Sequence, residues 1–184
     1  PFELILIDNG STEPVTLAWL NEQQIQVDTT VVRIDCDFNY AQIHNYARPY
    51  CKGTHLLLLN NDIEVRSNNI LQKLLDPFAI RHTVAVGARL RYPSNSIQHH
   101  GVVLIKGERR CVLEPGKHLS EPSVIDMFTP LGVQEEWIAA TAACLLLRSA
   151  DFDRIGGFDE QLAVVFNDVD LCLRLRQLEG SVVV

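Results

Sequence analysis

The chain has 184 residues and a formal net charge of −7, with 16 Lys and Arg against 23 Asp and Glu. At roughly 150 residues per domain this length suits one domain, large enough to build a core without disulfide or metal staples. Hydrophobic residues at 47% and charged residues at 21% are ordinary globular values that exclude wholesale disorder and fibrous repeats. The longest apolar runs, such as Ala142 to Leu147, and shorter ones such as Leu56 to Leu59, fall far short of the roughly 18 residues that cross a bilayer. No basic cluster exceeds the pair Arg109 and Arg110, so nucleic acid is not an expected partner. Cys36, Cys51, Cys111, Cys144 and Cys172 form no Cys-x-x-Cys pair, and their odd number predicts free, mostly buried thiols in a reducing compartment. Pro rather than Met at position 1, and strand-like ends without polar tails, give the expectation of a piece of a longer protein.

In chain order, Glu3 to Asp8 is a short apolar run ending at Asn9-Gly10-Ser11, a buried strand and turn. A helix should follow, capped by Ser11 or Thr12, with Pro14 in its first turn and Val15, Leu17, Ala18, Leu20 and Ile25 on its apolar face. Val31 to Ile34 reads as a second strand and Asn39 to Cys51 as a helix stopped by Gly53. His55 to Asn60 carries four consecutive leucines, the pattern of a strand covered on both faces. A helix near Asn68 to Ile80, a strand at Val84 to Leu90 and alternation from Ile97 to Ile105 continue a β-α-β-α-β-α-β order, which predicts an open α/β sheet. Residues 107 to 136 break the rhythm with prolines and glycines, as functional excursions do. A strand from Trp137 to Arg148, a short helix from Ala150 to Ile155 and a helix from about Asp168 to Leu178 complete the order.

Ligands of open α/β sheets bind outside the carboxyl ends of the strands, where Asp8-Asn9-Gly10-Ser11 and Asn60-Asn61-Asp62 both stand. Each acid alone is equally explained as a turn or capping residue; their joint placement favours a ligand. A strand-end carboxylate beside two amides suits Mg²⁺ or Mn²⁺, with phosphate and water oxygens completing the shell. Neither Gly-x-x-x-x-Gly-Lys-Ser/Thr nor Gly-x-Gly-x-x-Gly is present, so a P-loop and a dinucleotide fingerprint are excluded. A second acidic cluster is Gly156-Gly157-Phe158-Asp159-Glu160 with Phe166-Asn167-Asp168-Val169-Asp170. Asp168 and Asp170 suit a helix start, and at i and i+2 they face different sides, so at most one points into a given site. His99 and His100, adjacent on a strand, face opposite ways and suit a structural or acceptor-side role better than chelation. Trp19 and Trp137 read as packing residues, with stacking on an acceptor the alternative for Trp137 beside the irregular segment, and Cys144 and Cys172 as buried, inert thiols.

Five ordered stretches carry a resemblance: 7–11 (Ile-Asp-Asn-Gly-Ser), 56–65 (four leucines, Asn-Asn-Asp-Ile-Glu-Val), 97–104 (Ile-Gln-His-His-Gly-Val-Val-Leu), 144–148 (Cys-Leu-Leu-Leu-Arg) and 156–176. Together they resemble family 2 glycosyltransferases, nearest the bacterial rhamnosyltransferase-like branch, over nearly the whole chain. The resemblance implies a GT-A fold, a Rossmann-like open mixed sheet flanked by helices, in a single domain over 1–184 that is incomplete at both termini, with 107–136 on the acceptor side. It implies inverting transfer of a sugar from a nucleotide-diphospho-sugar donor to a saccharide or glycolipid acceptor in bacterial surface polysaccharide or glycoconjugate assembly.

By the same resemblance Asp8 matches the acid used for the nucleotide base, and Asn60-Asn61-Asp62 stands at the Asp-x-Asp position. Asp62 matches the ligand of a divalent cation (Mn²⁺ or Mg²⁺), while Asn60, near the ribose, joins Asn61 and Asn45 on the donor side. Asp168 matches the acid proposed as general base on the acceptor hydroxyl. Relatives carry an earlier strand and a later metal-ligating His that fall outside residues 1–184. The expected location is cytoplasmic, at or near the inner face of the membrane, with membrane association of the parent left open. A non-catalytic nucleotide-sugar-binding or scaffold domain is the alternative from another class.

Overall fold

In a computed structural model of the chain, residues 1–80, 82–105, 111–113 and 134–184 are described. Most of the irregular segment expected at 107–136 lies outside them. The chain divides into two compact units, one of residues 1–54 with 156–167 and the other of residues 55–155 with 168–184.

In the first unit, β1 (Leu4–Asp8) and β2 (Thr29–Arg33) pair in parallel, Asp8 opposite Arg33. The crossover between them is α1 (Pro14–Gln23). Its cap differs from expectation: Glu13 holds the N-cap position without a side-chain hydrogen bond, and neither Ser11 nor Thr12 caps. The helix starts at Pro14, past the position where either side chain could cap it, and Ser11 N–H donates to the Asp8 carboxylate in the turn before it. The predicted apolar face of α1 is also corrected. Leu20 is its buried residue, while Val15 and Ile25 are more than four-fifths exposed. After β2, α2 (Tyr40–Ala47) starts at a true cap, with Asn39 Oδ1 accepting from Gln42 N–H at 3.0 Å. A 3₁₀ turn at Arg48–Tyr50 ends this helix before Cys51, because Pro49 has no amide hydrogen to extend the ladder.

The second unit is built on a five-stranded mixed sheet in the order β3-β10-β4-β11-β9. These strands are β3 (His55–Leu59), β4 (Thr83–Gly87), β9 (Glu136–Trp137), β10 (Cys144–Arg148) and β11 (Ser181–Val183). Strand β10, between β3 and β4, runs antiparallel to both, whereas the central β4 and β11 are parallel. The leucines of β10 explain its position: Leu145 and Leu147 are wholly buried, and Cys144 and Leu146 on the other face join Leu74, Val86 and Leu90 in a cluster. Leu74 comes from α3 (Ile70–Ile80), the crossover between β3 and β4.

The predicted strand Trp137 to Arg148 is two strands separated by a non-strand stretch at 138–143, and Val84 to Leu90 is likewise split between β4 and β5 (Leu90–Arg91). Two small antiparallel pairs, β5 with β6 (Ile97–His99) and β7 (Val103–Ile105) with β8 (Cys111–Leu113), account for the alternation around residue 100. The helices α4 (Ser149–Arg154) and α5 (Asn167–Arg176) follow β10, close to their predicted positions.

Candidate active site

In the second unit the stretch Ala139-Ala140-Thr141-Ala142-Ala143 hands successive backbone groups to different elements. Ala139 C=O accepts from Val102 N–H at 2.9 Å, and Ala140 C=O from the Cys172 thiol at 3.6 Å. Thr141 N–H donates to His99 Nε2 at 3.1 Å, Ala142 N–H to Asp168 Oδ2 at 3.2 Å, and Ala143 C=O accepts from Asn60 N–H at 2.9 Å. Small side chains permit this because partners must approach the backbone closely. The sequence reading missed the stretch by merging it with a strand. Four alanines and a threonine before a run of large apolar residues were the available signal.

This turn brings two predicted site residues together. Asn60, just past β3, and Asp168, in the first turn of α5, attach to adjacent residues, Ala143 and Ala142. Asn61 and Asp62 follow in an exposed turn. Asp168 is half-buried, and its other oxygen accepts from Val169 N–H at 2.8 Å, so backbone dipoles hold the carboxylate at a helix start. Asp170 is on another face, bonded to Arg174 Nε at 2.8 Å, as the i, i+2 spacing requires.

His99 and His100 are both buried and not joined in a common site. His99 Nε2 accepts from Gly101 N–H as well as from Thr141. His100 lies against the Arg89 guanidinium, 3.1 Å from its Nε, and within 3.6 Å of Glu135. Trp137 packs edge-on against His100 and covers Gly101. A Cβ at Gly101, already at φ +86°, would stand 2.2 Å from the indole ring, so this position excludes any side chain. Trp137 is therefore a packing residue, while Trp19 is about half exposed.

In the first unit Asp8 is buried at the end of β1. One oxygen accepts from Ser11 N–H at 2.9 Å, and the other meets Arg33 Nη1 at 2.7 Å. Burial pushes its pKa up, but the Ser11 hydrogen bonds and the Arg33 cation outweigh it and hold the carboxyl below its ordinary value. Asn45 is engaged on both ends of its amide: Nδ2 donates to Phe158 C=O and Glu160 Oε1, each at 3.0 Å, and Oδ1 accepts from Phe158 N–H at 2.9 Å. That grip fixes the Gly-Gly-Phe-Asp-Glu turn, and a donor contact through Asn45 would require one of these bonds to open.

Among the described residues no three His, Cys, Asp or Glu side chains cluster to hold a metal. The donor set that remains, the exposed Asp62 carboxylate beside two amides, is hard oxygen chemistry. It fits a cation that takes most of its ligands from a diphosphate and water. Burial pushes the Cys172 thiol up to about 12 and raises that of Cys144 as well, so both are poor nucleophiles. No helix of the described residues is long and apolar enough to cross a membrane.

The chain is 37% identical over 183 residues to an uncharacterised protein, y4gI, of Sinorhizobium fredii, covering 95% of this chain and 19% of that protein. It is 37% identical over 176 residues to the O-antigen biosynthesis protein RfbC of Myxococcus xanthus, covering 95% of this chain and 13% of that protein. The chain thus spans less than a fifth of either relative. Among solved structures, GalNAc-T7 with UDP, GalNAc and Mn²⁺ superposes with a TM-score of 0.74 at 16% identity, over 98% of this chain and 36% of that one. The mannosyltransferase PcManGT from Pyrobaculum calidifontis, in complex with GDP-Man and Mn²⁺, gives 0.64 at 13% identity, over 98% and 44%. These likenesses carry the fold, which is GT-A. Residues 1–183 match the family described as glycosyltransferase like family 2, and the chain belongs to that family.

Proposed function

We propose that this chain is the catalytic portion of an inverting glycosyltransferase that moves a sugar from a nucleoside-diphosphate sugar to a saccharide or glycolipid hydroxyl in bacterial surface polysaccharide assembly. The observation that carries the reading is the anchoring of Asn60 and Asp168 on adjacent residues of the 142–143 turn. The end of β3, with Asp62, is thereby joined to an acid at the start of α5. Asp168 takes the proton from the attacking hydroxyl, and the incoming oxygen displaces the nucleoside diphosphate from the opposite face in one step, which inverts the anomeric carbon. Asp62 would hold a divalent cation together with the donor diphosphate, and when bound that cation supplies positive charge against the departing phosphates. Asp8 is assigned to the nucleobase, Asn60 and Asn61 to the ribose and diphosphate side, and Asn45 to the donor side through the turn it holds. The Mn²⁺ and nucleotide ligands named for GalNAc-T7 and PcManGT, and the O-antigen role named for RfbC, support the same class of donor, cation and product.

The test uses the full-length parent and a panel of UDP-glucose, UDP-N-acetylglucosamine, GDP-mannose and dTDP-rhamnose. Nucleoside diphosphate release and calorimetric binding are measured with and without Mn²⁺. Asp62→Ala should abolish the Mn²⁺ dependence of donor binding, and a titration unchanged from wild type rejects the cation role.

A further inference from the structure

We infer that His99 is a positioning residue for the acid at the start of α5, acting through the Thr141–Ala142 backbone; this rests on the reading of Asp168 as general base. His99 ends β6, and its ring is 2% exposed. Both Gly101 N–H and Thr141 N–H point at its Nε2 at 3.1 Å, so one lone pair ties the turn after β6 to the stretch before β10. The next amide along, Ala142 N–H, is the one that donates to Asp168 Oδ2. Ala142 is held on its other side too: Ala143 N–H donates to Thr141 Oγ1 at 3.3 Å, and Ala143 C=O accepts from Asn60 N–H. His99 is thus the side chain that sets the orientation of Thr141, and Thr141 sets where the Ala142 amide points.

Without an acceptor at the Nε2 position of the buried His99, both Thr141 N–H and Gly101 N–H lose their partner, and an unmade hydrogen bond there is costly. The stretch regains a partner by rotating, and a rotation at Thr141 carries the Ala142 N–H away from Asp168. A carboxylate whose donor has moved samples orientations that do not reach the acceptor proton, and misplacement of about 1 Å can cost on the order of 10²-fold in rate. Donor binding, which draws on other residues, is not expected to follow.

The experiment compares His99→Leu, which keeps volume and loses the acceptor, with His99→Gln, whose amide oxygen reaches about as far as Nε2. It uses the full-length parent with water as acceptor and the panel donor that the wild type turns over. His99→Leu should lower kcat roughly 10- to 100-fold with the donor KM within about twofold, and His99→Gln should return kcat to within about fivefold of wild type. Amide hydrogen exchange should show protection at Thr141 and Ala142 lost in His99→Leu and kept in His99→Gln. If His99→Leu does not fold, His99→Asn, whose shorter amide stops short of Nε2, replaces it. An unchanged kcat in the leucine variant, or a leucine and a glutamine variant equally impaired, overturns the inference. Protection of Ala142 surviving in His99→Leu also overturns it, whatever Asp168 does. Should Asp168→Asn keep its turnover while Ala142 protection follows His99 as expected, the general-base reading fails and takes the positioning role with it, although the backbone coupling stands.

Discussion

The two strand-end and helix-start carboxylates, Asp8 and Asp168, are held in opposite ways. Asp8 is closed by local partners: Ser11, three residues on, and Arg33, directly opposite it in the parallel pair. A full cation neutralises it, and burial leaves it little contact with water. Asp168 is held by two backbone amides, one of them 26 residues away, and remains half exposed. An acid fixed by an arginine is a fixed acceptor. On the proposed reading the arginine-bound acid serves binding, and the half-exposed acid at the helix start serves proton transfer.

The largest expected effect separates Asp168 from its neighbour two residues on. Asp168→Asn retains the shape and one acceptor oxygen but cannot take a proton, so nucleoside diphosphate release should fall by roughly 10²–10⁴-fold while donor affinity stays within about twofold. Asp170→Asn removes the pair with Arg174, an i, i+4 contact on another face. It should cost stability on the order of 0.5 kcal/mol and leave turnover near wild type. Equal losses from the two substitutions would erase the distinction between the two acids. Steady-state kinetics on both variants with the same donor decide it.

How much of this was legible in the sequence follows the same local and non-local divide. The β-α-β-α-β-α-β order and the opposite facing of Asp168 and Asp170 depend on periodicity and were readable, whereas the reading of the four leucines as a strand covered on both faces fails: Leu56 and Leu58 are buried, but Leu57 is half-buried and Leu59 is 45% exposed. The capping of α1 was not readable, because the N-cap position falls two residues past Ser11, at Glu13, with no side-chain cap bond. The 139–143 stretch was hidden for a different reason. Its function lies in backbone groups, which every residue carries alike, so side-chain patterning marks it only by small size. His99 was read as structural or acceptor-side on facing alone. Its link to Asp168 passes through two main-chain amides and has no sequence signature.

A smaller effect tests the closure of Asp8. Asp8→Ala removes the acceptor for Ser11 N–H and one of the two carboxylates on Arg33, which keeps Asp35 at 2.9 Å. Because the Arg33 side chain is 42% exposed, water takes over much of the lost charge interaction. The cost should therefore be about 1–2 kcal/mol, read as a lower urea midpoint at unchanged slope. Its pH dependence has a definite sign. With the folded-state pKa depressed, the stabilisation is present above 3.8 and is lost as the pH falls through the folded value. Asp8→Ala should flatten the stability curve only below that range, and a change of slope near neutrality would place the effect elsewhere.

The smallest effect compares a histidine from each unit. His44 is pushed down from 6.5 by burial, against which the Tyr40 carbonyl at 2.8 Å pulls only partly back. His55 is pushed down by burial and then by the Arg148 charge, with Asp151 opposing. In both the unfolded chain binds the proton more readily than the folded one. Stability is therefore full above 6.5 and declines as the pH falls toward the folded values, each histidine adding at most about 1.4 kcal/mol per pH unit. His44 stacks on Tyr40 at 4.0 Å, and His55 meets Phe78 edge-on at 5.1 Å, so phenylalanine can replace either ring without its titration. His44→Phe should flatten the acid slope in part, and His44→Phe with His55→Phe should flatten it further. If the two units unfold as one, the changes in slope add in a single urea transition. If they unfold separately, each substitution changes the slope of its own transition alone, and the acid titration then reports on each unit independently of any catalytic assay.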